Sequence, residues 1–361
     1  MSEYYGQQAQ DVAGSVESRQ QNALSKKSFM HAKQSAHCYF DSHNVEPDAL
    51  TNIPRNERKQ ITEALFPSVI TPQQTLQDEN GETVKTLHRL SDGQVIEFAL
   101  MFYAEDKRVI LCISCQVGCA LNCSFCAAGR LGLVRNLSCA EIVEQVRFAL
   151  LEASRRGILL KNVVFMGEGE PTSNLQVVLD SAAIISDPQL FAISARNITI
   201  STARNAPAIK KMALNPLQFR LAVSLHAPDN RLRNQLMPIN GTWNVDAVLD
   251  PALDYHKTKN SRISVEYALM RDINDTQEHA FLLARSLNTR VSNWAHVNLI
   301  PLNEIEDSDY KPSTANNIAF FQNILKKKGI FTTLRSSRGQ LIDGGCGQLA
   351  AKVRDGDEHV Q

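Results

Sequence analysis

CISCQVGCALNCSFCAAG, residues 112–129, is the stretch on which the reading of this chain turns. Within it Cys119, Cys123 and Cys126 stand as Cys-x3-Cys-x2-Cys. Three thiolates at that spacing suit three irons of a 4Fe–4S cluster. Such clusters usually take four cysteine ligands, so a three-ligand loop implies an external ligand on the fourth iron. Zinc is the competing reading. It favours paired Cys-x2-Cys units and a fourth protein ligand, and downstream of the loop there is neither another such pair nor a His-x3-His.

The rest of the composition agrees with a redox-protected enzyme. Five of the eight cysteines fall between Cys112 and Cys126, which points to chemistry rather than a disulfide scaffold and calls for a reducing compartment. No apolar run approaches the ~18 residues of a membrane span, and the N-terminus lacks the apolar core of a signal peptide. A cytoplasmic protein with no membrane association is expected. At 361 residues, 43% apolar and 21% charged, the chain is long enough for one large core or two smaller ones. Lys plus Arg equals Asp plus Glu, 38 each, so net charge gives no support for a nucleic-acid partner.

Working outward, the cysteine loop follows an apolar run, VILCI, that opens an alternation of strands and helices. The other strand candidates are NVVFMG (162–167), NITIS (197–201), FRLAVSLH (219–226), ISVEYALM (263–270) and HVNLIP (296–301), with IFTTLRSS closing the region. Helical stretches such as 140–153 and 278–287 lie between them. This alternation predicts an α/β fold with a parallel sheet. Six repeats fall short of an eight-fold barrel, so a partial (β/α)6 TIM-like barrel is expected. Ahead of it, residues 1–45 read as a polar, poorly ordered N-terminus and 46–105 as a small helical/β accessory region. That region holds a short helix at 53–66 and strands 83–90 and 94–103, joined by a turn at Ser91-Asp92-Gly93. The core is expected over 106–345 and a C-terminal segment over 346–361.

Active sites of barrel folds sit at the carboxyl ends of the strands. Gly169 and Glu170, in MGEGEP, follow the second strand; Ser201 ends the third; Ser224, Leu225 and His226 end the fourth; Asn303 follows the sixth. Singly each reads as a loop residue. Together they describe a binding rim.

The run 112–126 with VRNL (134–137), GEP (169–171), SLHAP (224–228), MPIN (237–240), HVNLIP and the terminal GGCGQLA (344–350) resembles the RlmN/Cfr-type radical SAM RNA methyltransferases. The resemblance spans roughly residues 50–351. It implies a 4Fe–4S cluster on Cys119, Cys123 and Cys126, with Phe125 as the aromatic residue usual beside the last ligand, and S-adenosylmethionine (SAM), two per turnover, as the external ligand. It implies that the rim from Gly169 to Asn303 binds SAM, Glu170 and neighbouring backbone groups facing the methionine ammonium. Cys346 is implied as the methyl-carrying cysteine and Cys112 as its resolving partner through a transient disulfide. Glu97 resembles the family's proton acceptor, although the interval from Glu97 to Cys112 is two residues longer than is typical. The implied product is an adenosine methylated at carbon 2 in 23S rRNA or tRNA. Carbon 8, as in the Cfr branch, and a non-catalytic RNA-binding paralogue are the alternatives. An electron donor such as flavodoxin and a monomeric state are implied as well.

The chain departs from the family at its ends. The polar N-terminus matches poorly before residue 50, and the terminal VRDGDEHVQ replaces a basic tail. Phosphate contacts dominate RNA affinity, which makes Arg130 and Arg135, flanking the loop, the better candidates for RNA contact. Cys115 stands where serine is usual and is expected to be a bystander, with Cys38 and Cys139.

Overall fold

The computed structural model describes residues 35–40, 48, 50, 51, 53–65, 68–204, 206–303, 308–335 and 348–354. The chain divides into two compact units, Met1–Val69 and Ile70–Gln361. In the first, residues 35–40 are helical and α1 spans Arg55–Leu65. Cys38, Leu50 and Ile53 are buried together against Ile61, and Arg58 Nε ties the helix to Ile53 O at 2.8 Å.

The second unit is built on one ten-stranded sheet. Strands β1 (Ile70–Gln77), β2 (Thr83–Leu90), β3 (Val95–Tyr103) and β4 (Arg108–Ile113) form an antiparallel meander. A short hairpin, β5 (Gln116–Gly118) and β6 (Leu133–Asn136), brackets the cysteine loop and the helix α2 (Ala127–Arg130). Then come α3 (Cys139–Arg155), β7 (Leu159–Phe165), α4 (Leu175–Ser186), β8 (Ile198–Thr202), α5 (Ala206–Leu214) and β9 (Arg220–Ser224). They are followed by α6 (Asn230–Leu236), α7 (Val245–Lys259), β10 (Ile263–Leu269), α8 (Gln277–Asn288), β11 (Ala295–Pro301), α9 (Ala315–Lys327), β12 (Thr332–Leu334) and α10 (Gln348–Arg354). From β4 onward the pairing runs β4-β7-β8-β9-β10-β11-β12, all parallel. Among the described residues six strand–helix repeats thus precede β12, and β1 and β12 are the sheet's edges: the partial α/β barrel that the alternation predicts.

Local chemistry explains the elements. The central strands are buried along their length, as parallel strands covered by helices should be. Ser138 caps α3 by accepting from Glu141 N, and the Glu141 carboxylate accepts from Ser138 N at 2.8 Å, a reciprocal capping box. Arg135 closes on the same carboxylate at 2.8 Å and on Asp92 at 2.7 Å. These pairs engage the guanidinium that the sequence offered for RNA contact. β2, β3 and β4 fall where the sequence put them. β1 was not anticipated, because ITPQQTLQ is a polar edge strand with a bulge between Pro72 and Gln74. The strands assigned to an accessory region share the sheet of the barrel, joined where Ala99 pairs with Cys112. No helix among the described residues is long and apolar enough to cross a membrane.

Helix α3 also covers the meander, and His88 of β2 lies stacked on Phe98 with ring centroids 4.6 Å apart and beside Phe148 of α3. Neither ring nitrogen has a hydrogen-bond partner among the described residues. Burial, with Arg147 nearby, pulls its pKa from 6.5 down to about 4. Between those values the unfolded chain binds a proton that the folded chain refuses. Stability therefore falls as pH drops through this window, by up to about 3 kcal/mol for a shift of this size. Replacing His88 with Leu is expected to flatten the decline in the urea midpoint between pH 7 and pH 5; an unchanged slope would assign the acid sensitivity elsewhere.

Candidate active site

A cavity of about 300 Å³ opens at the carboxyl ends of the barrel strands. It is lined by Cys119, Cys123 and Cys126 on one side, by Glu97 and Cys112 on the β3–β4 side, and by Gly169, Glu170, Ser201, Ser224, His226 and Asn303 around the rim. Strand register produces this convergence. Ile113 pairs with Phe165, Phe165 with Ile200, Thr202 with Val223, and Ser224 with Glu266, so the strand ends finish side by side. Of the rim residues, Leu225 alone is withdrawn. It is fully buried, and its backbone N–H donates to Glu266 O. Cys346 lies outside the described residues.

The cysteine loop is held by its backbone. Cys119 N donates to Gly132 O at 2.9 Å, Cys126 N to Cys123 O at 3.1 Å, and Ser124 N to Leu236 O at 3.0 Å. Burial pushes the Cys119 thiol up to about 11 and Cys123 higher, with Cys126 and Cys119 adding repulsion at Cys123. The thiolate form is therefore disfavoured until a cation arrives, and metal uptake must release protons. Among the described residues no three such side chains converge on a single-ion site. A cluster would not require that, because each thiolate would bind a different iron. No disulfide joins any two of the seven cysteines among the described residues.

The MGEGEP turn is held against the loop by glycine geometry and carboxylates. Gly169 has φ +104°, and a Cβ there would come within 2.6 Å of Gln116, so only glycine fits this approach. The Glu170 carboxylate accepts from Thr172 N at 3.0 Å, Thr202 Oγ1 at 2.7 Å and Ala203 N at 3.0 Å, and from Thr172 Oγ1. It thus ties the ends of β7 and β8 together. Glu168, which sequence reasoning passed over, is fully buried. It accepts from Gly118 N at 3.0 Å and pairs with Arg354 at 2.8 Å. Burial raises its pKa to about 7, against the opposing pull of Arg354. The only sequence signal for it was its place as the first acid of Glu-Gly-Glu.

His226 sits in the left-handed region, φ +57°. Its Nδ1 accepts from Ala268 N at 3.0 Å, and Phe125 packs edge-on at 5.0 Å. Burial lowers its pKa to about 3. The ring is neutral, and with Nδ1 accepting, the proton resides on Nε2. Ser201 Oγ and Ser224 Oγ are 3.2 Å apart. Asn303 Oδ1 is buried without a partner among the described residues. A polar rim with an orphaned acceptor beside two buried thiols and a half-buried one fits a cluster and a polar amino-acid-bearing ligand.

Glu97 is almost fully buried. One oxygen pairs with Lys85 Nζ at 2.9 Å, and the other accepts from Leu349 N and Ala350 N at 3.0 Å each. The carboxylate anchors the first turn of α10, while Leu349 and Ala350 pack on Leu87 and Val95. A proton-accepting role would require these bonds to loosen.

Residues 113–284 match the radical SAM superfamily model. The chain is 49% identical over 331 residues to a protein of Bifidobacterium adolescentis named "Probable dual-specificity RNA methyltransferase RlmN", covering 90% of this chain and 85% of that one. It is 44% identical over 335 residues to the Thermobifida fusca protein of the same name, covering 91% and 90%. The crystal structure of a radical SAM methyltransferase from Sphaerobacter thermophilus superposes with a TM-score of 0.83 at 39% identity, covering 88% of this chain and 92% of that one. A loop of three cavity-facing thiols at the strand ends of a partial barrel, with relatives at this identity over nearly the whole length, leads to one assignment: the chain belongs to the RlmN family of radical SAM methyltransferases.

Proposed function

We propose that this protein methylates carbon 2 of an adenosine in 23S rRNA and tRNA, with Cys346 carrying the methyl group and Cys112 releasing the product. The observation that carries the reading is the single cavity that gathers Cys119, Cys123, Cys126 and Cys112. The printed name of the 49% identical relative, a dual-specificity RNA methyltransferase, supports the substrate class. The cofactors are a 4Fe–4S cluster and SAM, which supply the methyl group and the one-electron chemistry that an electron-poor ring carbon requires.

The chain's own residues do the rest. Cys119, Cys123 and Cys126 would each hold one iron. Gly169, Glu170, Ser201, Ser224, His226 and Asn303 would surround SAM, with the backbone of Leu225 behind them. The neutral His226 offers Nε2–H as a fixed donor. Cys112 would act last. Its thiolate attacks the Cys346 sulfur, a sulfur–sulfur bond forms, and the sulfur–carbon bond breaks with its electron pair going to the substrate carbon, which takes up a proton. The resulting disulfide is reset by a thiol reductant through exchange. A flavodoxin-type electron donor, a monomeric state and a cytoplasmic location complete the proposal.

The test is nucleoside mass spectrometry of rRNA and tRNA from cells lacking the gene, complemented with the wild type or with Cys346→Ala. The wild-type gene is expected to restore 2-methyladenosine and Cys346→Ala to restore none. An 8-methyladenosine signal would move the reaction to the other ring carbon. Full restoration by Cys346→Ala would remove the cysteine carrier.

A further inference from the structure

Arg233, on α6, is a fully buried guanidinium with no carboxylate among its hydrogen-bond partners. Nε donates to Leu225 O at 3.1 Å. Nη1 donates to Asn240 Oδ1 at 2.9 Å and Trp243 O at 2.8 Å. Nη2 donates to Ala203 O at 2.7 Å and Ser224 O at 3.2 Å. Every partner is neutral, and among the described residues Arg233 has no ion pair. Burying a charge without an opposite charge is costly. Satisfied hydrogen bonds reduce that cost without neutralising the charge. Burial lowers its pKa only to about 10, so the group remains a cation at neutral pH.

The packing places this cation behind the cysteine loop. Leu236 O, at the end of the same helix, accepts from Ser124 N at 3.0 Å and from Ser124 Oγ at 3.2 Å. Ser124 stands between Cys123 and Cys126. Cys119, Cys123, Ala203, Leu232, Leu236 and Met237 form one packed cluster of buried side chains. The guanidinium and a thiolate at Cys123 favour one another's charged forms; Glu170 favours the charged guanidinium as well, with no hydrogen bond to it. Arg233 is absent from the cavity wall. Fully buried, its charge acts through a medium of low polarity, where charges act strongly.

We propose that Arg233 is the protein's built-in counter-charge to the cluster held by Cys119, Cys123 and Cys126, and that it raises the cluster's reduction potential. This rests on the cluster reading above. One-electron reduction adds one negative charge to a thiolate-ligated cluster, and a fixed nearby cation favours that form. Potentials of such clusters are set by net charge, hydrogen bonding and exposure. Arg233 acts here as a tuning and positioning residue, not as a group that touches substrate.

The test is an anaerobic redox titration of the reconstituted full-length protein, followed by electron paramagnetic resonance, with iron and sulfide measured beforehand. Arg233→Gln removes the charge. Arg233→Lys keeps it while giving up the five-donor fork. Asn240→Asp leaves Arg233 and its bonds in place and sets a carboxylate of the same shape against Nη1. Arg233→Gln and Asn240→Asp are each expected to shift the reduction equilibrium at least about tenfold toward the oxidised cluster, equivalent to about 59 mV for one electron. Arg233→Lys should stay near wild type. A wild-type potential in Asn240→Asp would overturn the proposal, even if Arg233→Gln failed to fold. Equal shifts in Arg233→Gln and Arg233→Lys would also overturn it, since a merely structural staple predicts that pattern. A wild-type protein that takes up no iron and sulfide would instead overturn the cluster reading.

Discussion

Replacing Cys119 with Ala is expected to strip the protein of iron and sulfide and to lower methyl transfer by about 10³-fold or more, since removing one essential member of a catalytic unit costs about as much as removing all of it. Two remaining thiolates would leave two irons without protein ligands. The fold should survive, because the loop is held by backbone bonds such as Cys119 N to Gly132 O, which the substitution leaves in place. Iron and sulfide analysis beside a thermal melt separates the two effects. Cys115→Ala is the matched control. Cys115 is fully buried four residues earlier and does not line the cavity; its backbone carbonyl accepts from Leu137 N and Asn174 Nδ2. It should keep its cluster. Equal iron loss from both variants would mean that the ligand set has been misread.

Replacing Cys112 with Ala is expected to arrest turnover at a different stage, with release of methylated RNA lowered by about 10³-fold or more. Cys112, the penultimate residue of β4, lines the cavity and is nearly buried. Without it, the bond between Cys346 and the RNA has no resolving thiol. A slow-migrating protein–RNA band should accumulate on a denaturing gel and disappear on nuclease treatment, while iron content stays at the wild-type level. Free methylated RNA at a normal rate would remove Cys112 from the release step.

Much of the barrel was legible because its determinants are local. The apolar runs of β4 and β7–β11 and the turn at Ser91–Gly93 lie in single stretches of chain. The elements that escaped have weak local signals. β1 is polar because it is an edge, and β5 and β6 are only three and four residues long. The joining of the meander to the barrel was hidden for another reason. It depends on Ala99 pairing with Cys112 across a turn and on β4 pairing with β7, and neither register is written in either strand alone.

The site divides along the same line. Cys119, Cys123 and Cys126 could be found by counting, since three thiols within eight residues are close whatever the fold does. Ser201, Ser224 and Asn303 could be found because a parallel strand puts its last residues at one end of the barrel. Glu97 was singled out only as a base, whereas its bonds run to Leu349 and Ala350, about 250 residues along the chain. Glu168 with Arg354, and Arg233 with the carbonyls of Ala203, Ser224 and Trp243, have no sequence signature at all. By itself the sequence determined which chemistry the loop could hold and that strand ends would surround it. Only the tertiary structure decided which buried charges stand behind that loop. Hydrophobic period and ligand spacing are properties of neighbouring residues, while the partner of a buried charge is chosen by packing between segments far apart in the chain.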